Sequence, residues 1–347
     1  MKFFFVKNIS NSWSLMRVWC WLPVILLNLQ VGLAQDLHFS QFMNNPLLTN
    51  PANAGFNPDF DYRIGASYRS QWATLPVPYK TMSIWGDVQL LRNSLQNGWL
   101  GLGGVILQDK AGPGLTSTKA YGSIAYHQQL GEGSLLSAGF NVGYASKKVD
   151  ITSFKWENQW NGKFFDAQAA SGEPFAYSQI GYLDLQLGLN YAYFANSNLY
   201  LNAGASIMHL NNPRESFFSG SDNRVPQRYT GFMNASYKLN DQWIINPNAY
   251  YSYQTGSSEV VGGLMAQYNL SGDGEQQLIG GAYLRVGDAA VAMVGLQWKN
   301  IRLTFTYDAT TSSLNNFNGG NGALEFSLIK YGEFNQGTPR QSRCPGF

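Results

Sequence analysis

From about residue 60 onward, apolar residues recur at every second position over stretches of about ten to thirteen residues, and this period most constrains the fold. Successive strand residues point to opposite faces, so such a stretch has one apolar and one polar face. In residues 182–194, Leu183, Leu185, Leu187, Leu189, Tyr191 and Tyr193 share one face, opposite Asp184, Gln186, Gly188 and Asn190. In residues 61–69, Tyr62, Ile64, Ala66 and Tyr68 oppose Arg63, Gly65, Ser67 and Arg69. Residues 227–240 group Tyr229, Met233, Ala235, Tyr237 and Leu239, and residues 258–270 group Val260, Leu264, Ala266, Tyr268 and Leu270. Soluble strands usually run about five or six residues. A length of ten or more suits a tilted strand crossing a bilayer. Beyond the N-terminal region no run of 18 apolar residues offers a transmembrane helix. A membrane location then requires a closed barrel, which satisfies every backbone group between strands.

About fourteen such segments are expected, at residues 61–70, 79–91, 98–109, 116–129, 134–147, 180–194, 198–210, 227–239, 243–255, 258–270, 276–286, 288–299, 301–311 and 322–332. The fold class is therefore all-β, a transmembrane antiparallel β-barrel, and single-chain bacterial barrels use an even strand count. The connections support it. Those after even-numbered segments are short, as at Gly131-Glu132-Gly133, Ala195-Asn196-Ser197 and Asn240-Asp241-Gln242, with one slightly longer exception from Arg92 to Gly98. The long ones, at 70–78, 148–179, 211–226 and 312–320, all follow odd-numbered segments. Outer-membrane barrels pair short periplasmic turns with long outer loops, so both termini are expected at the periplasmic face.

Composition agrees. Charged residues are 13% of the chain, against roughly 25% in soluble domains. Tyrosines such as Tyr229, Tyr237, Tyr251 and Tyr253 fall near segment ends, where an aromatic girdle is expected. A formal net charge of +2 gives no bulk attraction for nucleic acid.

Residues 1–34 read as a signal peptide: Lys2, Lys7 and Arg17 precede the apolar stretch 18–29, and Gly32-Leu33-Ala34 supplies small residues for cleavage before Gln35. Cys20 would be lost, leaving Cys344 and no internal disulfide. Residues 35–60 have no period and carry three Asn-Pro steps. They form a periplasmic or plug segment. The barrel is expected over 61–332, and a polar tail over 333–347 in the periplasm or tucked into the barrel end.

Little points to catalysis, a metal or a cofactor. His38, His127 and His209 lack ligand spacing, and no Gly-x-Ser-x-Gly elbow occurs. Turns such as Ser271-Gly272-Asp273-Gly274-Glu275 have too few ligands for a calcium loop. Strand glycines such as Gly101, Gly103, Gly280 and Gly281 suggest bends or close backbone approach. The expected lumen charges are sparse: Arg63, Arg69, Asp87, Asp184 and Arg285. That favours a filled interior over a wide pore. Fourteen strands enclose more space than their own side chains fill, so the N-terminal segment or the long loop should enter. The loop at 148–179 carries Phe154, Trp156, Trp160, Phe164, Phe165 and Phe175, either as a partner-binding surface or as a self-packed cap.

The start of the expected mature chain resembles the PorP/SprF family of type IX secretion proteins of Bacteroidetes. The matching positions are Gln35-Asp36, Phe39-Ser40-Gln41, Asn45-Pro46-Leu47, Asn50-Pro51-Ala52 and Gly55, with Cys344-Pro345 and a final Phe347 at the C-terminus. The resemblance implies an outer-membrane component of the secretion and gliding machinery. It implies as partners a cognate large surface protein, such as an adhesin or the C-terminal domain of a type IX cargo, and other secretion components. From the residues alone, an outer-membrane channel for hydrophobic molecules or small solutes is the alternative. A hydrolase would need His127 or His209 beside a serine.

Overall fold

The computed structural model describes residues 39–334, apart from 58, 59, 93, 197 and 273. Fourteen antiparallel strands, each paired with its neighbours in sequence, close into a barrel through β1 and β14. They are β1 (Tyr62–Gln71), β2 (Tyr79–Leu90), β3 (Gly98–Ala111), β4 (Leu115–Gln129), β5 (Ser134–Val149), β6 (Gln179–Asn196), β7 (Leu199–Met208), β8 (Arg228–Lys238), β9 (Trp243–Gln254), β10 (Ser257–Asn269), β11 (Gln276–Arg285), β12 (Ala289–Trp298), β13 (Ile301–Thr310) and β14 (Asn321–Gly332). Each expected segment is one strand, and no end differs by more than two residues.

The period-two pattern sorts the two faces of the wall. Outward positions are apolar and exposed, as at Leu189, Met233, Leu264 and Val294. Inward positions are polar and buried, as at Ser83, Asn141, Gln186 and Thr306. That is the polarity of a barrel with lipid outside and a polar interior. Among the described residues no helix is long and apolar enough to cross a membrane.

The connections divide as their lengths require. One end carries short turns, and β1 begins and β14 ends there. The other end carries the two long loops, residues 150–178 and 209–227, with several tight turns. One of these is a two-residue turn at Thr255 and Gly256, both at positive φ, which suits the twist of a hairpin.

The inner face holds more charge than the five residues expected. Asp109, Lys119, Arg228, Glu259, Asp308 and Glu325 are buried there as well. Their parity is plain: Asp308 sits between outward Tyr307 and Ala309, and Glu325 between outward Leu324 and Phe326. The interior is nonetheless occupied, because the charges pair with one another and with a segment that fills the lumen.

Candidate functional site

Residues 39–57 run along the inside of the barrel. Phe39, Ser40 and Gln41 are buried near the long-loop end, where Ser40 meets Arg69, Arg285 and Asp308, all within two residues of their strand ends. The other end of the segment lies near the short-turn end. There the Gly55 carbonyl accepts from Gln89 Nε2 at 3.1 Å and Trp99 Nε1 at 3.0 Å. Between them the chain makes three single-turn helices, Phe42–Asn44, Pro46–Thr49 and Pro51–Asn53. Proline suits the first turn of the latter two, where its missing N–H has no helical partner to lose.

The chemistry of the segment is amide chemistry suited to a polar lumen. Glu325 accepts the backbone N–H groups of Ser40 (2.8 Å) and Gln41 (3.0 Å) and pairs with Arg69 at 3.1 Å. Arg69 also meets Asp308 at 2.9 Å, and Arg285 meets Asp308 at 3.2 Å and Glu259 at 3.0 Å. A buried ion costs several kcal/mol in lost hydration, so only such pairing makes the cluster tolerable. Gln41 donates to Thr306 and accepts from Thr304 and Asn44. Asn45 accepts from Ser83 at 2.7 Å. Asn50 accepts from the Ala52 N–H and donates to the wall carbonyls of Leu189 (2.8 Å) and Ala205 (3.1 Å). The Asn53 carbonyl accepts from Arg63, which is paired with Asp87, and Asp87 accepts the Gly55 N–H at 2.8 Å.

Two glycines show how closely segment and wall approach. Gly55 has φ of +64°, a left-handed conformation that favours glycine, and a Cβ there would lie 2.6 Å from Gly101 Cα. A Cβ at Gly139 would lie 2.4 Å from the Ala52 nitrogen. Such contacts leave no gap for solute beside these residues. Apolar packing adds Phe42 against Tyr250, with ring centroids 5.2 Å apart, and Leu47 with Trp85 and Val105.

The resemblance motif thus splits by position. Phe39, Gln41, Asn45, Pro46, Asn50, Pro51 and Gly55 all sit in the lumen. Cys344, Pro345 and Phe347, like the expected signal peptide and the expected tail beyond Phe334, lie outside the described residues.

The aromatic loop between β5 and β6 is partly self-packed. Phe154 contacts Trp156 at 5.6 Å, Trp156 contacts Phe175 at 5.8 Å, and Phe175 stacks on Phe218 of the β7–β8 loop at 5.1 Å. Lys155 lies over the half-buried Phe165 ring at 5.3 Å. Trp160 and Phe164 face outward, 56% and 59% exposed.

His127 contacts Ser137 Oγ through Nδ1 at 2.7 Å and the Ala54 carbonyl through Nε2 at 2.8 Å. A carbonyl only accepts, so Nε2 carries the proton and Ser137 donates to Nδ1. This is a Ser–His pair, but both side chains are buried behind the segment. His209 pairs with Asp184 at 3.0 Å, which also accepts from Tyr121. Among the described residues no group of three or more His, Cys, Asp or Glu is placed to hold a metal ion.

Sequence reading missed Ser40 and the Arg285–Asp308–Glu325 group as the anchor of the segment. Of this group only Arg285 was expected in the lumen; the alternation of β13 and β14 also turns Asp308 and Glu325 inward, but nothing local tells which inward residues the segment will meet.

Among solved structures, the Pseudomonas putida toluene transporter TodX superposes with a TM-score of 0.50 at 10% identity, covering 86% of this chain and 94% of that one. The Ralstonia pickettii toluene transporter TbuX gives 0.48 at 12% identity, covering 83% and 93%. A Pseudomonas aeruginosa FadL homologue gives 0.49 at 11%, covering 82% and 93%. At these identities the likeness is one of fold. No curated protein matches the sequence. The model of the type IX secretion system membrane protein PorP/SprF matches residues 31–328. With that match spanning most of the chain, a plugged fourteen-strand barrel carrying the Asn-Pro motif in its lumen belongs to the PorP/SprF family of type IX secretion membrane proteins.

Proposed function

We propose that this outer-membrane component of type IX secretion binds a cognate large surface protein through its long outer loops, and that it acts by binding rather than by catalysis. The observation that carries the reading is the filled lumen beneath an exposed aromatic cap. Residues 39–57 hydrogen-bond to β1, β2, β3, β4, β6, β7, β8, β11, β13 and β14. Such a barrel presents surfaces instead of a passage. The short-turn end, where β14 leaves the wall, faces the periplasm and the rest of the machine in this reading. The placement of the N-terminus there, expected from the sequence, finds no matching support: the first described residue, Phe39, lies toward the long-loop end.

Trp160 and Phe164 are the residues for the cargo, and Phe154, Trp156 and Phe165 shape the loop that presents them. Comparing the surface proteome of a deletion strain with its parent tests the reading. Selective loss of one large surface protein is expected, and an unchanged proteome removes the assignment. A channel for hydrophobic molecules is the second reading, because the TodX fold neighbour is named as a toluene transporter. It requires flux through the intact protein in liposomes, which a filled lumen opposes.

A further inference from the structure

Three lysines face outward in one row at the long-loop rim of the wall. The register pairs Lys80 of β2 with Lys110 of β3, Lys110 with Thr116 of β4, and Thr116 with Lys148 of β5. All three lysines are exposed. Among the described outward-facing strand residues, the other charged one is Lys330, at the opposite end of the barrel. Lys80 and Lys110 stand directly opposite one another on adjacent strands, an arrangement that repels unless an anion lies between. None of the three has an ion-pair partner closer than 4.0 Å among the described residues.

The surface below the row changes in order. Two residues toward the middle, the outward row is Met82, Gln108, Thr118 and Ser146, the last three being neutral hydrogen-bonding groups. Two residues further it is Ile84, Ile106, Ala120 and Tyr144, with Ile84 65% and Ile106 61% exposed. On β3 and β5 cation, neutral hydrogen-bonding group and apolar side chain thus succeed one another over roughly 13 Å of strand, and on β2 the apolar Met82 and Ile84 follow Lys80 directly. A cleft of about 680 Å³ opens beside the row, lined by Lys110, Thr116, Lys148 and Ser178. Asp150 is the acid on its wall. Its carboxylate is turned to Thr152 and Ser153, whose hydrogen bonds hold it below the usual carboxylate range.

We propose that Lys80, Lys110 and Lys148 bind the phosphate of an outer-leaflet lipid headgroup, whose acyl chains then lie against Ile84 and Ile106. The order of charge, hydrogen-bonding groups and hydrocarbon fits a phosphorylated glycolipid better than a soluble anion, which would have no use for the apolar rows. The proposal rests on the long loops facing outward and is independent of cargo binding.

The test uses the full-length protein in detergent, with diphosphorylated lipid A, the same lipid after phosphatase treatment, and inorganic phosphate as probes, read by native mass spectrometry. The phosphorylated lipid should bind at least about tenfold more tightly than the dephosphorylated one, since each lysine near an anionic surface contributes measurably. The variant Lys80→Gln/Lys110→Gln/Lys148→Gln should lose the same factor, while Lys330→Gln should lose none. If the triple variant fails to keep the heat-resistant gel mobility of a folded barrel, Lys110→Gln alone serves, with a smaller loss in the same direction. Equal binding of both lipids, or undiminished binding by the variant, overturns the proposal. Displacement of the lipid by millimolar inorganic phosphate would assign the row to a free anion and overturn the lipid assignment.

Discussion

The lumen segment and the outer loop invert the usual relation between composition and burial. Residues 39–57 are rich in Asn and Pro, yet Gln41, Asn45 and Asn50 are almost wholly buried. Residues 150–178 carry seven aromatics, yet Trp160 and Phe164 are more than half exposed. A barrel of this kind puts its hydrocarbon outside, so its interior is lined by inward polar residues, and a segment enters it by matching hydrogen bonds. The amide side chains do inside the barrel what leucine does in a soluble core. The aromatics outside are free to serve contacts with another protein.

The largest expected effect comes from removing the inner region whole. Deleting residues 40–56 should produce stable conductance in planar bilayers and lower resistance to heat, whereas deleting residues 154–165 should do neither. A silent bilayer with the shorter protein would mean that the wall can fill itself. Next, Arg69→Ala leaves Asp308 and Glu325 without a shared cation inside the lumen, at a cost of about 3–5 kcal/mol. Urea unfolding in detergent micelles measures it, and a loss below about 1 kcal/mol would show that water enters the cluster. Asn50→Ala strands the carbonyls of Leu189 and Ala205 and should cost about 1–3 kcal/mol in the same assay. Smallest in stability is the double change Trp160→Ala/Phe164→Ala, expected within about 0.5 kcal/mol of the parent because both side chains face solvent. Surface display of the cognate protein should nevertheless fall, as counted by surface labelling. Unchanged display would leave the aromatic loop as a cap and nothing more.

The wall was legible in the sequence because its rule is local. Leu183 to Tyr193 in alternate positions can face lipid in one way only, and the strand ends follow from the turns. The interior was legible in part. The excess of space inside fourteen strands required a filler, and residues 35–60 were one of two candidates. Which wall residues the filler meets was not legible: Ser40 and Glu325 are 285 positions apart, and no period links them. The split of the aromatic loop was hidden for a related reason. Phe175 packs on Phe218 from a different loop, so the fate of each ring depends on a contact beyond its own segment.

Thirteen of the fourteen strand pairings join neighbours in sequence, and the seam between β1 and β14 alone joins the ends of the wall. That seam therefore pays the greatest loop-closure entropy and should zip late. Arg69 and Glu325 stand opposite each other across it, and Ser40 and Gln41 bind the same Glu325 carboxylate from within. Once the seam is shut, the segment could reach its place only by being drawn lengthwise into the ring. Topology therefore favours one order of events, in which residues 39–57 lie down before the wall closes around them, as a hoop is closed around a peg already standing.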